Sequence, residues 1–227
     1  MLIDHSTDRS VCQIFDICPS GLPTVQRLKK MTELKPVPQR LKEAAIEMIV
    51  SRGYGNATLV PILERGGLSK GALFHHFKSR EELTAAAYAD LLDTIMAEMR
   101  THADDLMESK IDLDTFLTKT ARLFMSDNMI ATMEIALAIR VSPNLADLVG
   151  TALEKWEEFL SGYWIEIFDL PNTSVAVQTA HWLMVMDVLR GIGVQYAFNL
   201  NDKHIGLVID RLKFTCFLTA KIRGPRG

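Results

Sequence analysis

After an opening segment with no sustained period, the apolar positions of this chain fall at three- and four-residue steps almost to its end. Leu41, Ala44, Ala45, Met48 and Ile49 begin the pattern; that spacing places one apolar stripe along a helix. Pro38 suits the first turn of this helix, and Gly53 suits the left-handed residue that closes it. Thr58 is expected to cap a second, short helix over about 59–65, with Pro61 in the first turn, where a missing N–H costs little. Gly66-Gly67 then turns the chain, and Ser69 caps a third helix over about 70–76. Ser79-Arg80-Glu81-Glu82 reads as a capping box that opens a long fourth helix, about 80–101.

The rest of the pattern predicts longer helices. Asp112 opens one to about 126, Asn128 opens another to about 141, and Ser142-Pro143 starts a third that runs to about 168. Asp169-Leu170-Pro171-Asn172 interrupts the helical pattern. Two final helices follow, about 173–198 and 203–222, separated by Asn199-Leu200-Asn201-Asp202. No stretch alternates with period two between turns at hairpin spacing, so the expected class is all-α. Residues 1–37, with Pro19, Pro23 and Pro36, read as a poorly ordered N-terminal extension carrying a short helix near 23–31, with Met31 as an alternative start.

Composition narrows the class further. The 227 residues are 48% hydrophobic and 23% charged, with 13 Gly and 8 Pro, which suits a cored protein rather than a disordered one. No apolar run approaches the roughly 20 residues of a membrane span, and the first residues lack the basic-then-apolar order of a secretory signal. Cys12, Cys18 and Cys216 make an odd count with no disulfide framework. A soluble protein of the cytoplasm is the expectation, without membrane contact. The net charge of −3 conceals an asymmetry: residues 1–80 hold 12 Lys and Arg against 7 Asp and Glu, and the remainder holds 13 against 21. A basic front on an acidic body favours a polyanionic partner for the front.

Three helices within about forty residues, the last two joined through glycines, make a helix-turn-helix. In that motif the third helix enters the major groove while the second braces across the backbone. Small residues at the start of the third helix allow close approach to base edges, while Leu73 and Phe77 face inward. The stretch from Arg40 to Leu83 also resembles the N-terminal domain of tetracycline-repressor-like (TetR family) regulators. The resemblance is carried by Ala44-Ala45, Gly53, Thr58, Ile62, Gly67, the run Leu68 to Phe77, and Lys78-Ser79-Arg80-Glu81-Glu82-Leu83. It implies a DNA-binding domain over 38–95 and a helical ligand-binding and dimerising domain over 96–222. It further implies that Ser69, Lys70, Gly71 and Ala72 face bases or flanking phosphates, while His75, His76 and Lys78 mainly contact phosphate and Thr58 holds another. Phe74 stands where the family usually carries a DNA-contacting Tyr, so one polar contact is lost. Pro61, Leu63 and Gly66 replace a polar residue and two alanines of the usual second helix.

Other chemistry finds little support. His75 and His76 are adjacent on a helix and diverge by about 100°, so they do not chelate a metal. The chain has no nucleophile elbow, phosphate loop or dinucleotide fingerprint, so neither an enzyme nor a cofactor is expected. The later helices are rich in soft apolar residues: eight of the 11 Met and all three Trp follow residue 90. Core packing is the plain reading of each one. Together they suit a pocket for a small apolar or aromatic effector, lined by some of Met96, Phe124, Met125, Met129, Trp156, Trp182 and Met186. On the last two helices Ala176, Ala180 and Gly193 are small, while Leu189, Ile205, Val208 and Leu212 are apolar. The resemblance implies that this pair forms a four-helix homodimer interface, so that the protein binds an approximately palindromic operator on double-stranded DNA. The expected function is a homodimeric, effector-responsive transcriptional regulator, a repressor released by its ligand. The alternative is a helical architectural or partner-binding protein that associates with DNA without ligand control.

Overall fold

The stripe that begins at Leu41 forms helix α1 (Val37–Arg52), with Leu41, Ala44, Ala45, Met48 and Ile49 all buried. Gly53 closes it at φ +77°, its N–H donating to the Ile49 carbonyl at 2.8 Å. In this computed structural model residues 35–198, 202–218 and 220–224 are described. The sequence readings made on 1–34 and 199–201 lie outside them. Val37 and the residues after it form one compact unit.

Two short helices follow, α2 (Leu59–Gly66) and α3 (Lys70–His76). Gly67 takes φ +60° between them, a conformation that costs glycine little and other residues more. Gly66, directly before it, is buried against Ala44 of α1. Ser69 caps α3 by accepting from the Ala72 N–H at 3.1 Å. Thr58 occupies the cap position of α2 with extended backbone, but its side chain makes no cap bond, contrary to the sequence reading.

Helix α4 (Arg80–Met107) runs on to residue 107, nearly two turns beyond the pattern's end near 101. His102 disguises its last turn: a polar residue interrupts the stripe, yet it is buried together with Ala103, Leu106 and Met107. Ser79 accepts from the Glu82 N–H at 3.1 Å, and the Glu82 carboxylate reaches back to the N–H of Lys78, at 2.5 Å, rather than to that of Ser79. The capping box is therefore widened by one residue.

Helices α5 (Leu113–Phe124), α6 (Asp127–Ile139) and α7 (Pro143–Ile167) build the body, with α4 packed most extensively on α7. Asp112 caps α5 through the Thr115 N–H at 2.8 Å. Ser126, not Asn128, caps α6, accepting from the Met129 N–H at 3.2 Å. Ser142 precedes α7 without a side-chain cap bond, since its backbone has left the extended region a cap requires. Helices α8 (Val175–Ala197) and α9 (Asp202–Phe217) complete the helical set among the described residues.

The last stretch, read as helix to about 222, instead ends its helix at Phe217. Lys221-Ile222 (β2) then pairs antiparallel with Phe168-Asp169 (β1), directly after α7. Arg223 extends the pairing by donating its N–H to the Ile167 carbonyl at 2.7 Å. The extended backbone after α7 needs partners for its polar groups, and this returning segment supplies them. An aromatic cluster packs under it, with Trp164 stacked on Trp182 at 5.6 Å and Phe168 against Phe217 at 5.1 Å. The fold is all-α apart from this two-residue ribbon.

Candidate DNA interface and the surfaces of the helical body

Helix α3 divides its side chains as a recognition helix must. Leu73 is fully buried and Phe77 nearly so, anchoring the helix against α1 and α2. Ser69, Lys70, Gly71, Phe74, His75, His76 and Lys78 are exposed, as is Thr58 at the start of α2. Ala72 is half-buried. The Lys70 ammonium lies 5.7 Å from the centre of the Phe74 ring, so the aromatic residue that lacks a hydroxyl still orients a cation. The rings of His75 and His76 meet edge to face at 4.8 Å, an arrangement with two exposed nitrogens-bearing edges rather than a common chelating point.

Several residues that hold this unit in place escaped the sequence reading. Arg40 of α1 donates to the carbonyl of Gly66 at 2.9 Å, fixing the C-terminus of α2. Lys42 of α1 pairs with Asp90 of α4. Arg80, the first residue of α4, donates to the Tyr54 carbonyl, and its guanidinium lies 4.3 Å from the centre of the Tyr54 ring. Burial raises the pKa of the Tyr54 phenol above its ordinary value, against the opposing pull of Arg80. From the body, Glu134 of α6 accepts the Tyr54 N–H at 2.6 Å. Only Glu134 left a trace in the sequence: it is the lone charge in the otherwise apolar run Met133 to Ile139.

The structure distributes the residues expected to line an effector pocket. Met96, Phe124, Met129, Trp156, Trp182 and Met186 are buried and Met125 is half-buried. Trp182 and Met186 line a cavity of about 370 Å³ between α7 and α8, together with Leu160, Leu183, Glu157 and Arg190. Met96, Phe124 and Met129 belong to the packed core. A second cleft, about 390 Å³, lies between α4 and α7 over the small residues Ala85, Ala86 and Ala89, with the pair Lys155–Asp93 at 2.6 Å across it.

The last helices carry an outward apolar face whose register differs from the expected one. Leu189, Gly193, Ile205 and Leu212 are buried within the chain rather than offered outward, while Ala176 and Ala180 are exposed and Val208 is half-buried. Gly193 meets the carbonyl of Phe124, where even a methyl group would have no room. The outward apolar side chains are instead Val177, Leu183, Met184, Val194 and Leu207. The reason is that small residues admit close approach on either side of a helix, and here the neighbour they admit is α5. A groove of about 400 Å³ runs between α8 and α9 over Met184, Val188, Leu207 and Val208, beside Arg211.

Residues 41–87 match the family model of bacterial regulatory proteins, tetR family. That segment is a TetR-family N-terminal domain. The match covers α1 to α3 and the start of α4, the elements that carry the exposed α3 surface. Among curated relatives, the HTH-type transcriptional regulator CymR of Pseudomonas putida is 22% identical over 69% of this chain and 77% of its own. A solved transcriptional regulator from Rhodococcus sp. Rha1 superposes with a TM-score of 0.62 at 19% identity, over 81% of this chain and 97% of that one. The transcriptional regulator FadR from Bacillus subtilis, solved in complex with stearoyl-CoA, gives 0.57 at 15% identity, over 78% of this chain and 97% of its own. The chain thus joins a TetR-family helix-turn-helix domain to a helical body, in a fold similar to that of these transcriptional regulators. No described helix is long and apolar enough to cross a membrane, and the described residues hold no cluster of three metal-ligating side chains.

Proposed function

We propose that this regulator acts as a homodimer that binds an approximately palindromic operator and is released from it by a small apolar or aromatic effector. The observation that carries the reading is the division of α3 between a buried anchor, Leu73 and Phe77, and an exposed face of Ser69, Lys70, Phe74, His75 and His76. Lys70 gives that face a fixed cation for a polyanion; Ser69 to Ala72 would face bases or their flanking phosphates, and Thr58, His75, His76 and Lys78 would mainly hold phosphates. The functional division falls near residue 95, with α4 as the shared element crossing it unbroken.

The apolar outward face of α8 and α9 supports the dimer. Met184, Val188, Leu207 and Val208 about a groove between the two helices are what an isologous helical interface uses. A two-fold axis there would present two α3 helices one turn of DNA apart, about 34 Å. The cavity beneath Trp182 and Met186 supports the effector: its volume and apolar walls fall in the range of small-molecule sites. FadR, a protein of the same fold, is known bound to stearoyl-CoA, which supports an effector site in the helical body of this chain. Ligand that favours one separation of the α3 helices over another shifts DNA affinity; a ligand indifferent to the two changes nothing.

The test is fluorescence anisotropy on duplex DNA flanking the gene, in excess unrelated competitor, with a Lys70→Ala/His75→Ala control. Binding that survives competitor and is lost in the control is the expected result. Absence of competitor-resistant binding there and in a selection from random DNA would refute the reading.

A further inference from the structure

Tyr54 sits in the turn between α1 and α2, and two side chains from two distant elements hold it through three contacts. Its N–H donates to the Glu134 carboxylate of α6 at 2.6 Å, across 80 residues of sequence. Its carbonyl accepts from Arg80, whose guanidinium also covers its ring at 4.3 Å. Arg80 opens α4 three residues after Phe77, the residue that ends α3. The preceding residue, Gly53, has φ +77°, and a Cβ there would stand 3.4 Å from the same Glu134 oxygen. It is the left-handed turn that calls for glycine here; a Cβ would only touch the carboxylate.

From this clamp the chain leads stiffly to the DNA-binding helices. Ala57 donates to the Gly53 carbonyl at 3.1 Å, Thr58 donates to Asn56 at 2.8 Å, and α2 begins at the next residue. On the other side, α6 is seated in the body: Met129, Ala131, Ile135 and Ala138 are buried, and Met133 packs beside Gly193 of α8 and Phe124 of α5. Helix α6 therefore touches the effector-side helices with one face, and with Glu134 it grips the turn that positions α2 and α3.

We propose that Glu134 is a positioning residue that couples α6 to the DNA-binding helices, so that a shift of α6 in the body is delivered to α2 and α3 through the Tyr54 N–H. The inference rests on the regulatory reading above and supplies its route. A carboxylate accepting a backbone N–H is a charge-assisted bond, stronger than a neutral one and directional. Removing it frees the turn from α6 while leaving the Arg80 contacts and the packing of α6 on α1, so the DNA-binding helices keep their fold while α2 and α3 lose their directional tie to α6. Coupling is reciprocal: if α6 biases the DNA-binding helices, DNA bound there must bias α6 to the same degree.

Hydrogen–deuterium exchange on the full chain tests this with Glu134→Ala and Glu134→Gln, each free and bound to a duplex enriched from random DNA by the wild-type protein. Glu134→Ala is expected to speed exchange at Tyr54 by about ten- to a hundredfold, the loss of one hydrogen bond to a charged group, and to raise exchange through residues 59–77. DNA is expected to slow exchange across residues 127–139 in the wild type and to leave them unchanged in the Ala variant. Gln keeps an acceptor oxygen without the charge and should fall between; it carries the same test if the Ala variant does not fold. An effect confined to residue 54, with α6 still responding to DNA in the Ala variant, would overturn the proposal. If the wild type enriches no duplex, it is the regulatory reading that fails. The free protein then decides the coupling: spread of the Ala effect to 59–77 supports it, and confinement to residue 54 refutes it.

Discussion

Gly193→Ala and Gly150→Ala are the same substitution in two long helices, and the structure assigns them opposite signs. At Gly193 a Cβ would lie 2.3 Å from the carbonyl oxygen of Phe124 and 3.3 Å from its carbon. A carbon rests on a carbonyl oxygen at about 3.3 Å or more, so α8 and the end of α5 must part by about 1 Å. Backbone cannot swing aside as a side-chain tip can, and a gap of that size forfeits a quarter to a half of each contact along the seam. Overpacking of this kind costs about 1–3 kcal/mol, offset by about 0.5–1 kcal/mol from replacing glycine inside a helix. Allowing for that offset, Gly193→Ala is expected to lose about 1–2 kcal/mol, a fall in Tm of about 2–8 °C for a chain of this size. Gly150 in α7 has nothing within 4 Å of its would-be Cβ, so there the helix term stands alone and a gain of about 0.5–1 kcal/mol is expected. Urea denaturation of both variants at one protein concentration measures the pair, because association in the proposed dimer would also stabilise. A Gly193→Ala midpoint equal to or above that of wild type would refute the reasoning, since it would mean the α5–α8 seam has slack that the backbone positions deny.

Burial lowers the pKa of His102, against the smaller opposing pull of Glu98, so the native state binds its proton less readily than the unfolded chain does. The stability this contributes is present above the ordinary value of 6.5 and is lost as pH falls through the native-state value. The urea midpoint should therefore decline on acidification from neutral pH, and His102→Gln should flatten that decline; an unchanged slope would discard the assignment. Leu207→Asp, on the outward face of α9 at 62% exposure, is expected to leave the fold intact and shift light scattering from dimer to monomer. A variant still dimeric at micromolar concentration would move the interface elsewhere. Lys70→Ala is expected to reduce the slope of log affinity against log salt by about one. An unchanged slope would remove Lys70 from the phosphate contacts.

Much of the fold could be read because its rules are local. The inward stripe of α1, the glycine turns at 53 and 67, and the caps at Ser69, Ser79 and Asp112 each depend on a few neighbouring residues, and the structure places them as their spacing indicates. The exposed α3 surface was legible for the same reason. What could not be read depends on partners far along the chain. Gly193 looked like a residue for subunit contact because smallness announces close approach without naming the neighbour, and the neighbour is Phe124. Polar His102 concealed the last turn of α4, because burial of an imidazole is decided by the helices around it. The β1–β2 ribbon joins segments more than fifty residues apart, and two-residue strands are too short to show alternation. Among the candidate effector residues, richness in Met and Trp marked where the body is densest; which of them border open space is set by how α7 and α8 diverge, and the sequence has no term for that.

The arrangement of α4 and α6 bears on how such a regulator can respond at all. A DNA-binding unit joined to its body by one helix alone could pivot about that helix with little effect on anything else. Here α4 is the covalent link and is held on both sides, by Lys42 of α1 at Asp90 and by Lys155 of α7 at Asp93. The Lys155–Asp93 pair is exposed and weak on its own, whereas the Lys42–Asp90 pair is half-buried. Helix α6 adds a second attachment on a different helix, through its packing on α1 and the bond from Glu134 to Tyr54. Two attachments on separate helices convert a relative slide of α4 and α6 into a rotation of α1 to α3, whereas either attachment alone would absorb the slide locally. In the proposed dimer, an effector that wedged α7 from α8 would need to alter that offset only by a small amount to change the spacing of two recognition helices, because the rotation would be read out at their distance from the pivot. On this argument the strongest loss of coupling follows from cutting the second attachment, and substitutions at Asp90 or Asp93 should change DNA affinity modestly while preserving the response.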